Sequence, residues 1–289
     1  MRISLLRTGE KAKWVFSASG CRWLGAGGSL AVAVGGWAAG TLPVRGGWGL
    51  WEPRGSALTV AGAVLAYLGL TLLVAAWWRY GVLLARGLRH GVLATLACWT
   101  APLLLAPPLH SADVYSYIAQ GAMVLEGHDV YGAGPSVLGP GELGADAAAR
   151  SRKAGPYGAG VSVQFPPTLA AGFVKLTGGA VVPAVLGMRL IALGALALIV
   201  WAVRGLGGGR DGTGGALWLA ALNPLLLVHV IGGTHNDGLM IGLMLGGVLL
   251  ATRGRWVLGS VLVGLAMMIK SPAAVALLFI GVLLSLIHI

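Results

Sequence analysis

Acidic side chains are the scarcest feature of this sequence: nine Asp and Glu in 289 residues, with charged residues of both signs at only 10%. Soluble domains carry about 25% charged residues, so this scarcity excludes an ordinary water-solvated surface. Cysteine is nearly absent too. Cys21 and Cys98 lie far apart without metal-ligand spacing, which argues against a disulfide framework and a thiolate metal centre. Runs that alternate apolar and polar residues are missing, which excludes a closed β-barrel and leaves helices as the elements able to satisfy their own backbone in lipid. No fixed-period repeat points to a solenoid. No basic stretch is interleaved with aromatics, so the net charge of +11 does not read as a nucleic-acid surface.

What is present is apolar: 57% hydrophobic residues, a mean hydropathy of +0.84 and 49 glycines. The expected fold class is all-α, a polytopic transmembrane helical bundle in the inner (plasma) membrane. A span needs ~20 apolar residues. Such runs lie at about 24–42, 57–78 and 91–109, then at about 181–202, 215–231, 236–252, 256–269 and 273–288. The N-terminus with Arg2, Arg7, Lys11, Lys13 and Arg22 resembles a signal peptide but reads as an uncleaved first helix. Basic residues in the N-terminus and at Arg79, Arg86 and Arg89 place those segments in the cytoplasm. The insert after Leu109 is then extracytoplasmic. The organisation is a basic cytoplasmic N-terminus (1–23), three transmembrane helices (24–109), an extracytoplasmic loop with a juxtamembrane helix (110–180) and further transmembrane helices (181–289). The stretch 166–177, with Lys175, reads as interfacial or re-entrant; if it spans, the later topology inverts. The Gly-rich segment 205–210 lacks a preceding strand and reads as a turn.

Five of the nine acids, Asp113, Glu126, Asp129, Glu142 and Asp146, fall in the insert. Glu126, Glu142 and Asp146 read as ordinary loop acids. Asp113 differs because it follows a span directly, in Pro107-Pro108-Leu109-His110-Ser111-Ala112-Asp113-Val114-Tyr115-Ser116-Tyr117-Ile118-Ala119-Gln120-Gly121. Ser111 or Asp113 can cap a helix there, and helical spacing puts Asp113, Tyr117 and Gln120 on one face. One reading is an N-cap with interfacial tyrosines. The other is a general base whose pKa partial desolvation raises toward its working range. The break Gly232-Gly233-Thr234-His235-Asn236-Asp237-Gly238 is either a turn or a substrate-contacting segment, and its spacing does not favour a metal. Lys270, in Met268-Ile269-Lys270-Ser271-Pro272, is either a snorkelling boundary lysine or an anchor for a lipid phosphate; Arg189, within a span, poses the same question. Collection of polar residues at one membrane face favours an enzyme over a transporter or flippase, which would place ionisable groups at mid-span.

Together the motifs at 107–121, 127–135 (GHDVYGAGP), 155–160 (GPYGAG), 223–245 (NPLLLVHVIGGTHNDGLMIGLML) and 269–274 (IKSPAA) resemble the polyprenol-phosphate-mannose-dependent α-1,6-mannosyltransferases of actinobacteria, membrane glycosyltransferases of the GT-C class. The resemblance implies a polyprenyl-phosphate mannose donor, a growing α-1,6-mannan or lipomannan acceptor and inversion at the anomeric carbon; no cofactor is expected, and the sequence leaves metal dependence open. It implies Asp113 as general base. Tyr115, Tyr117, Gln120 and Tyr157 would shape the sugar site, His235, Asn236 and Asp237 would contact substrate, and Lys270 would offset the departing phosphate's charge. A transferase using another polyprenyl-phosphate sugar is the alternative. The family pattern is expected to carry an arginine at the position of Ala112 and an aromatic at that of His110. Its members are expected to run longer, which implies a C-terminally truncated member.

Overall fold

The computed structural model describes residues 17–42, 57–88, 91–130, 132–139, 165–207 and 210–287. Within them the fold is all-α: α1 (Ala18–Ala39), α2 (Ala57–Ala85), α3 (Val92–Leu103), α4 (Asp113–Leu125), α5 (Phe165–Leu176), α6 (Val181–Leu206), α7 (Arg210–Ala220), α8 (Pro224–Gly232), α9 (Asp237–Thr252), α10 (Trp256–Met267) and α11 (Val275–Ile287). The helices start and stop where local chemistry dictates. Ser17 accepts the Gly20 amide at 3.0 Å to begin α1, and Asn223 accepts the Leu225 amide at 2.9 Å ahead of Pro224 to begin α8. Gly87 and Gly254, at φ 99° and 79°, supply the left-handed residue after α2 and α9.

Two helices, α2 and α6, are long and apolar enough to cross a membrane alone, and the pair Gly212–Ala220 and Pro224–Gly232, bent by 44°, makes a third if taken as one span. Other apolar helices among the described residues are shorter, and two of the runs read from the sequence are cut by breaks in helical form. The run at 91–109 yields a helix only to Leu103, with Pro102 in its last turn and Pro107-Pro108 beyond. The run at 215–231 is split at Asn223-Pro224, and Leu227–Gly232 widens into a π-helix. Residues 165–176 form a helix of 12 residues that packs on α4 and α6. Large apolar side chains such as Val60, Leu190 and Leu278 are exposed, as lipid-facing surface requires. The fold is that of an all-α membrane protein.

Three cores organise the helices. The largest draws on α1, α2, α3, α7, α8 and the C-terminal half of α6; a second unites α4, α5 and the N-terminal half of α6; a third joins α9, α10 and α11. Helix α6 therefore carries both of the first two cores, with Met188 in one and Ala192 in the other. Helices α7 and α2 are clasped by a reciprocal pair: each indole of Trp77 and Trp218 donates to the other's backbone carbonyl, at 3.0 and 2.8 Å, with the rings stacked at 4.7 Å. Cys21 and Cys98 are free thiols, in keeping with their spacing.

In lipid there is no hydrophobic drive between helices, so close backbone approach does the work. The α1–α2 seam achieves it with glycine facing glycine. A Cβ on Gly28 would lie 2.7 Å from the Gly69 carbonyl, and one on Gly69 would lie 2.6 Å from that of Gly28. Gly69→Val is therefore expected to separate the helices at a cost of about 1–3 kcal/mol or more, lowering the melting temperature of the detergent-solubilised protein. Gly27→Ala, one position away where a Cβ meets nothing within 4 Å, is the control that should melt as the parent does.

Candidate active site

The polar residues singled out in the sequence converge at one end of the bundle. Residues 104–112 leave α3 without helical form and run to the start of α4, with 106–109 buried along the way; Ala106 is 0% and Leu109 3% exposed. His110 adopts φ 61°, and the Ser111 hydroxyl accepts the Asp113 amide at 3.1 Å. Asp113 is thus the first residue of α4 rather than its cap. Its carboxylate is favourably placed near the helix N-terminus.

The second strand of the site is the passage from α8 to α9. The π-helical turn and Gly232-Gly233 are followed by Thr234 at φ 56°, a left-handed conformation unusual for a β-branched residue. Thr234 delivers His235, whose Nδ1 lies 3.3 Å from Asp113 Oδ2 and 4.0 Å from Asp237 Oδ2. His229 stacks on His235 with ring centroids 3.9 Å apart and planes at 11°, and its Nε2 is 3.5 Å from Asp237 Oδ2. Gly233 makes the stack possible, since a Cβ there would approach the His235 ring at 2.7 Å. The Lys270 ammonium, from the junction of α10 and α11, donates to Asp237 Oδ1 at 2.7 Å. The Tyr117 hydroxyl donates to Asn236 Oδ1 at 3.3 Å. Asp113, Tyr117, His235, Asn236, Asp237 and Lys270 therefore belong to one connected network.

Two sequence-predicted residues do not join it. Tyr115 points the other way, 2% exposed within the α4–α5–α6 core, with its hydroxyl donating to the Thr41 carbonyl at 2.6 Å. Gln120 shares the helical face of Asp113 but lies two turns on, 6% exposed, and its Oε1 has no hydrogen-bond partner among the described residues. Both are buried in this structure. Tyr157, Glu142 and Asp146 lie outside the described residues.

His229 was not legible as a site residue, because it stands six positions before His235 and that spacing faces apart on an α-helix. The chain leaves the helix after Gly232 and turns at left-handed Thr234, and the two rings stack across that turn. Arg189 is a second residue whose place only the fold shows. It is 2% exposed, and donates to the Leu104 carbonyl at 2.6 Å, the Gly232 carbonyl at 3.2 Å and the Thr234 hydroxyl at 3.2 Å. It touches no lipid phosphate position at a boundary; it sits between the two segments that carry Asp113 and His235.

The electrostatics correct one expectation. The hydrogen bond from His235 holds the Asp113 carboxyl below the ordinary carboxylate range, helped by the charges of His235 and Lys270, and this outweighs the upward push of partial burial. Asp113 is ionised at neutral pH.

His229, His235 and Asp237 offer ligand atoms within 4.8 Å of one another, a set that could in principle hold a metal. Two features oppose it. Lone pairs of two imidazoles lying in parallel planes 3.9 Å apart cannot converge on one ion without ring rotation, and the Lys270 ammonium already occupies one oxygen of Asp237.

Fold and site together define the class: an all-α membrane protein whose reactive groups are gathered at one end of the bundle from three separate stretches of chain. Residues 22–286 match the family model described as alpha-(1->6)-mannopyranosyltransferase, N-terminal domain, and the chain belongs to that family. It is 39% identical over 236 residues to alpha-(1->6)-mannopyranosyltransferase A of Mycobacterium tuberculosis, covering 80% of this chain and 44% of that one. Against alpha-(1->6)-mannopyranosyltransferase B of Corynebacterium glutamicum the identity is 29% over 300 residues, 91% of this chain and 48% of the other. The corynebacterial alpha-(1->6)-mannopyranosyltransferase A is 35% identical over 64% of this chain and 37% of its own length. The chain spans about half the length of the curated relatives it matches. No solved structure matches it.

Because the folded pKa of Asp113 is depressed, the stability it contributes is present above its unfolded value of 3.8 and lost as pH falls through the lower folded value. The melting-temperature difference between the parent and Asp113→Asn is expected to hold from neutral pH to about pH 5 and to disappear below 3.8. A difference undiminished well below pH 3.8 would contradict the assignment of the His235 hydrogen bond.

Proposed function

We propose that this protein takes part in the transfer of mannose from a polyprenyl-phosphate mannose donor to a growing α-1,6-mannan or lipomannan acceptor, with inversion, at the extracytoplasmic face of the plasma membrane. The observation that carries the reading is the pairing of a half-exposed carboxylate with a buried imidazole: the Asp113 side chain is 48% exposed and that of His235 8%. An acceptor hydroxyl can reach Asp113 and cannot reach His235. Family membership supplies the sugar.

Asp113 would accept the proton of the attacking hydroxyl. A carboxylate of depressed pKa is a weak base toward a resting alcohol, but the hydroxyl becomes strongly acidic as its oxygen bonds to the anomeric carbon, so the proton moves late, when Asp113 suffices. His235 would hold the carboxylate aimed and ionised. Lys270, 33% exposed, would face the departing lipid phosphate while Asp237 steadies its ammonium. A monophosphate leaving group needs about one positive charge nearby, which the ammonium supplies without a metal. Tyr117 and Asn236 would line the sugar side.

Placement in the membrane follows the same logic. Arg22, Arg79, Arg86, Arg204, Arg253 and Arg255 all lie at helix ends opposite the Asp113 network. The positive-inside rule puts that end in the cytoplasm, in a multi-pass arrangement. A non-enzymatic transporter fits less well, since the acids gather at the opposite end and not at mid-depth.

Membranes bearing the full-length protein, given radiolabelled polyprenyl-phosphate mannose and an oligomannoside, should transfer label. Asp113→Asn should lower the rate by about 10²-fold or more, the usual worth of a positioned general base. Chelation with EDTA should leave the rate within twofold. Equal activity of parent and Asp113→Asn would remove the general-base role, and restoration by a divalent ion after EDTA would overturn metal independence. For orientation, Gly141→Cys should react with an impermeant thiol reagent added to intact cells; protection there would invert the topology.

A further inference from the structure

Arg189 lies apart from the substrate-facing groups, yet three of its bonds end on the backbone and side chain that deliver them. Helix α3 ends at Leu103, so its last carbonyls have no intrahelical partner. The Leu104 carbonyl is taken by Arg189 at 2.6 Å. The π-turn of α8 ends at Gly232, whose carbonyl accepts from Arg189 at 3.2 Å and from the Leu109 amide at 3.2 Å. One guanidinium thus ties the stretch leading to Asp113 to the stretch leading to His235. Its third bond, to the Thr234 hydroxyl at 3.2 Å, falls on the residue held at φ 56° directly before His235. A left-handed threonine is disfavoured and persists only where its surroundings over-determine it. Among the described residues the Arg189 guanidinium holds its hydroxyl. Lysine could not replace it, having one nitrogen where Arg189 uses three.

We propose that Arg189 is a positioning residue for the Asp113–His235 pair, acting through Thr234 and the two carbonyls it holds; the role rests on Asp113 being the base. Without it Thr234 relaxes to an extended or right-handed conformation, and His235 swings from the carboxylate. The groups facing the pair are then few. Asp113 is faced by His235, by the Ser111 hydroxyl and, at longer range, by Lys270. His235 is faced by Asp113, Asp237 and the ring of His229.

The test is a double-mutant cycle read without catalysis. The chain, labelled with ¹⁵N-histidine and placed in lipid nanodiscs, is observed by NMR at one fixed pH, with the His235 resonances assigned from His235→Gln. With Arg189 present, Asp113→Asn is expected to displace the His235 ring resonances, as loss of the carboxylate 3.3 Å from Nδ1 must. In the Arg189→Gln background the same change should displace them by less than about half as much. An equal effect in both backgrounds would overturn the proposal. Should Arg189→Gln not fold, Thr234→Val removes one anchor at constant shape and should reduce the coupling, whereas Thr234→Ser should retain it; coupling unchanged in Thr234→Val would equally overturn it. In the mannosyl-transfer assay Arg189→Gln should lower kcat about tenfold with KM within about twofold, the pattern of lost alignment and not of lost binding. If the parent transfers no mannose, the functional reading fails while the NMR cycle still decides the role of Arg189.

Discussion

The structure turns on backbone groups that must be satisfied where there is no water to satisfy them. Each apolar helix in a bilayer can meet its own hydrogen bonds only while it stays helical, and an orphaned carbonyl at membrane depth costs several kcal/mol. Two of this protein's breaks in helical form, after α3 and between α8 and α9, bring a carboxylate and an imidazole together. One buried guanidinium offsets part of the cost. Arg189 presents a planar fork of donors to the Leu104 and Gly232 carbonyls and to Thr234. A buried cation is itself costly, so the breaks and the arginine make sense only together.

From that constraint the layout of the reactive groups follows. Asp113 rides on the first turn of α4, a helix anchored in its own core with α5 and α6, while His235 rides on the segment entering α9. The two cores meet along α6. Asp237 and Lys270 then form a second ion pair beside the first, from elements of the third core. The four groups are therefore drawn from three packing units.

Much of this was legible in the sequence. The apolar runs and the dearth of charge dictated helices in a membrane, and Asp113, His235, Asp237 and Lys270 stood out as polar residues at the ends of those runs. What the sequence could not show was phase and depth. A hydropathy run carries no mark of where it stops being helical, so the run at 91–109 concealed the non-helical stretch from Leu104 onward. Periodicity at 3.6 residues hid His229, because the helix ends at Gly232 and the left-handed turn at Thr234 brings His235 onto its ring. The same face that joins Asp113 to Gln120 by spacing is covered by α5 further along, which buries Gln120. Desolvation alone suggested a raised pKa for Asp113; the neighbour that reverses the sign is 122 residues away in the chain and close only in the fold.

The Trp77–Trp218 clasp has a consequence of another kind. Two indoles stacked at 4.7 Å, with planes at 14°, are close enough for their electronic transitions to couple. The far-ultraviolet circular dichroism of this protein is therefore expected to carry an exciton couplet from this pair, which joins helices α2 and α7. Since α7 continues through the Asn223-Pro224 bend into the turn that carries His229, the optical signature of that pair reports whether the arm leading to the site is docked, without any label being added.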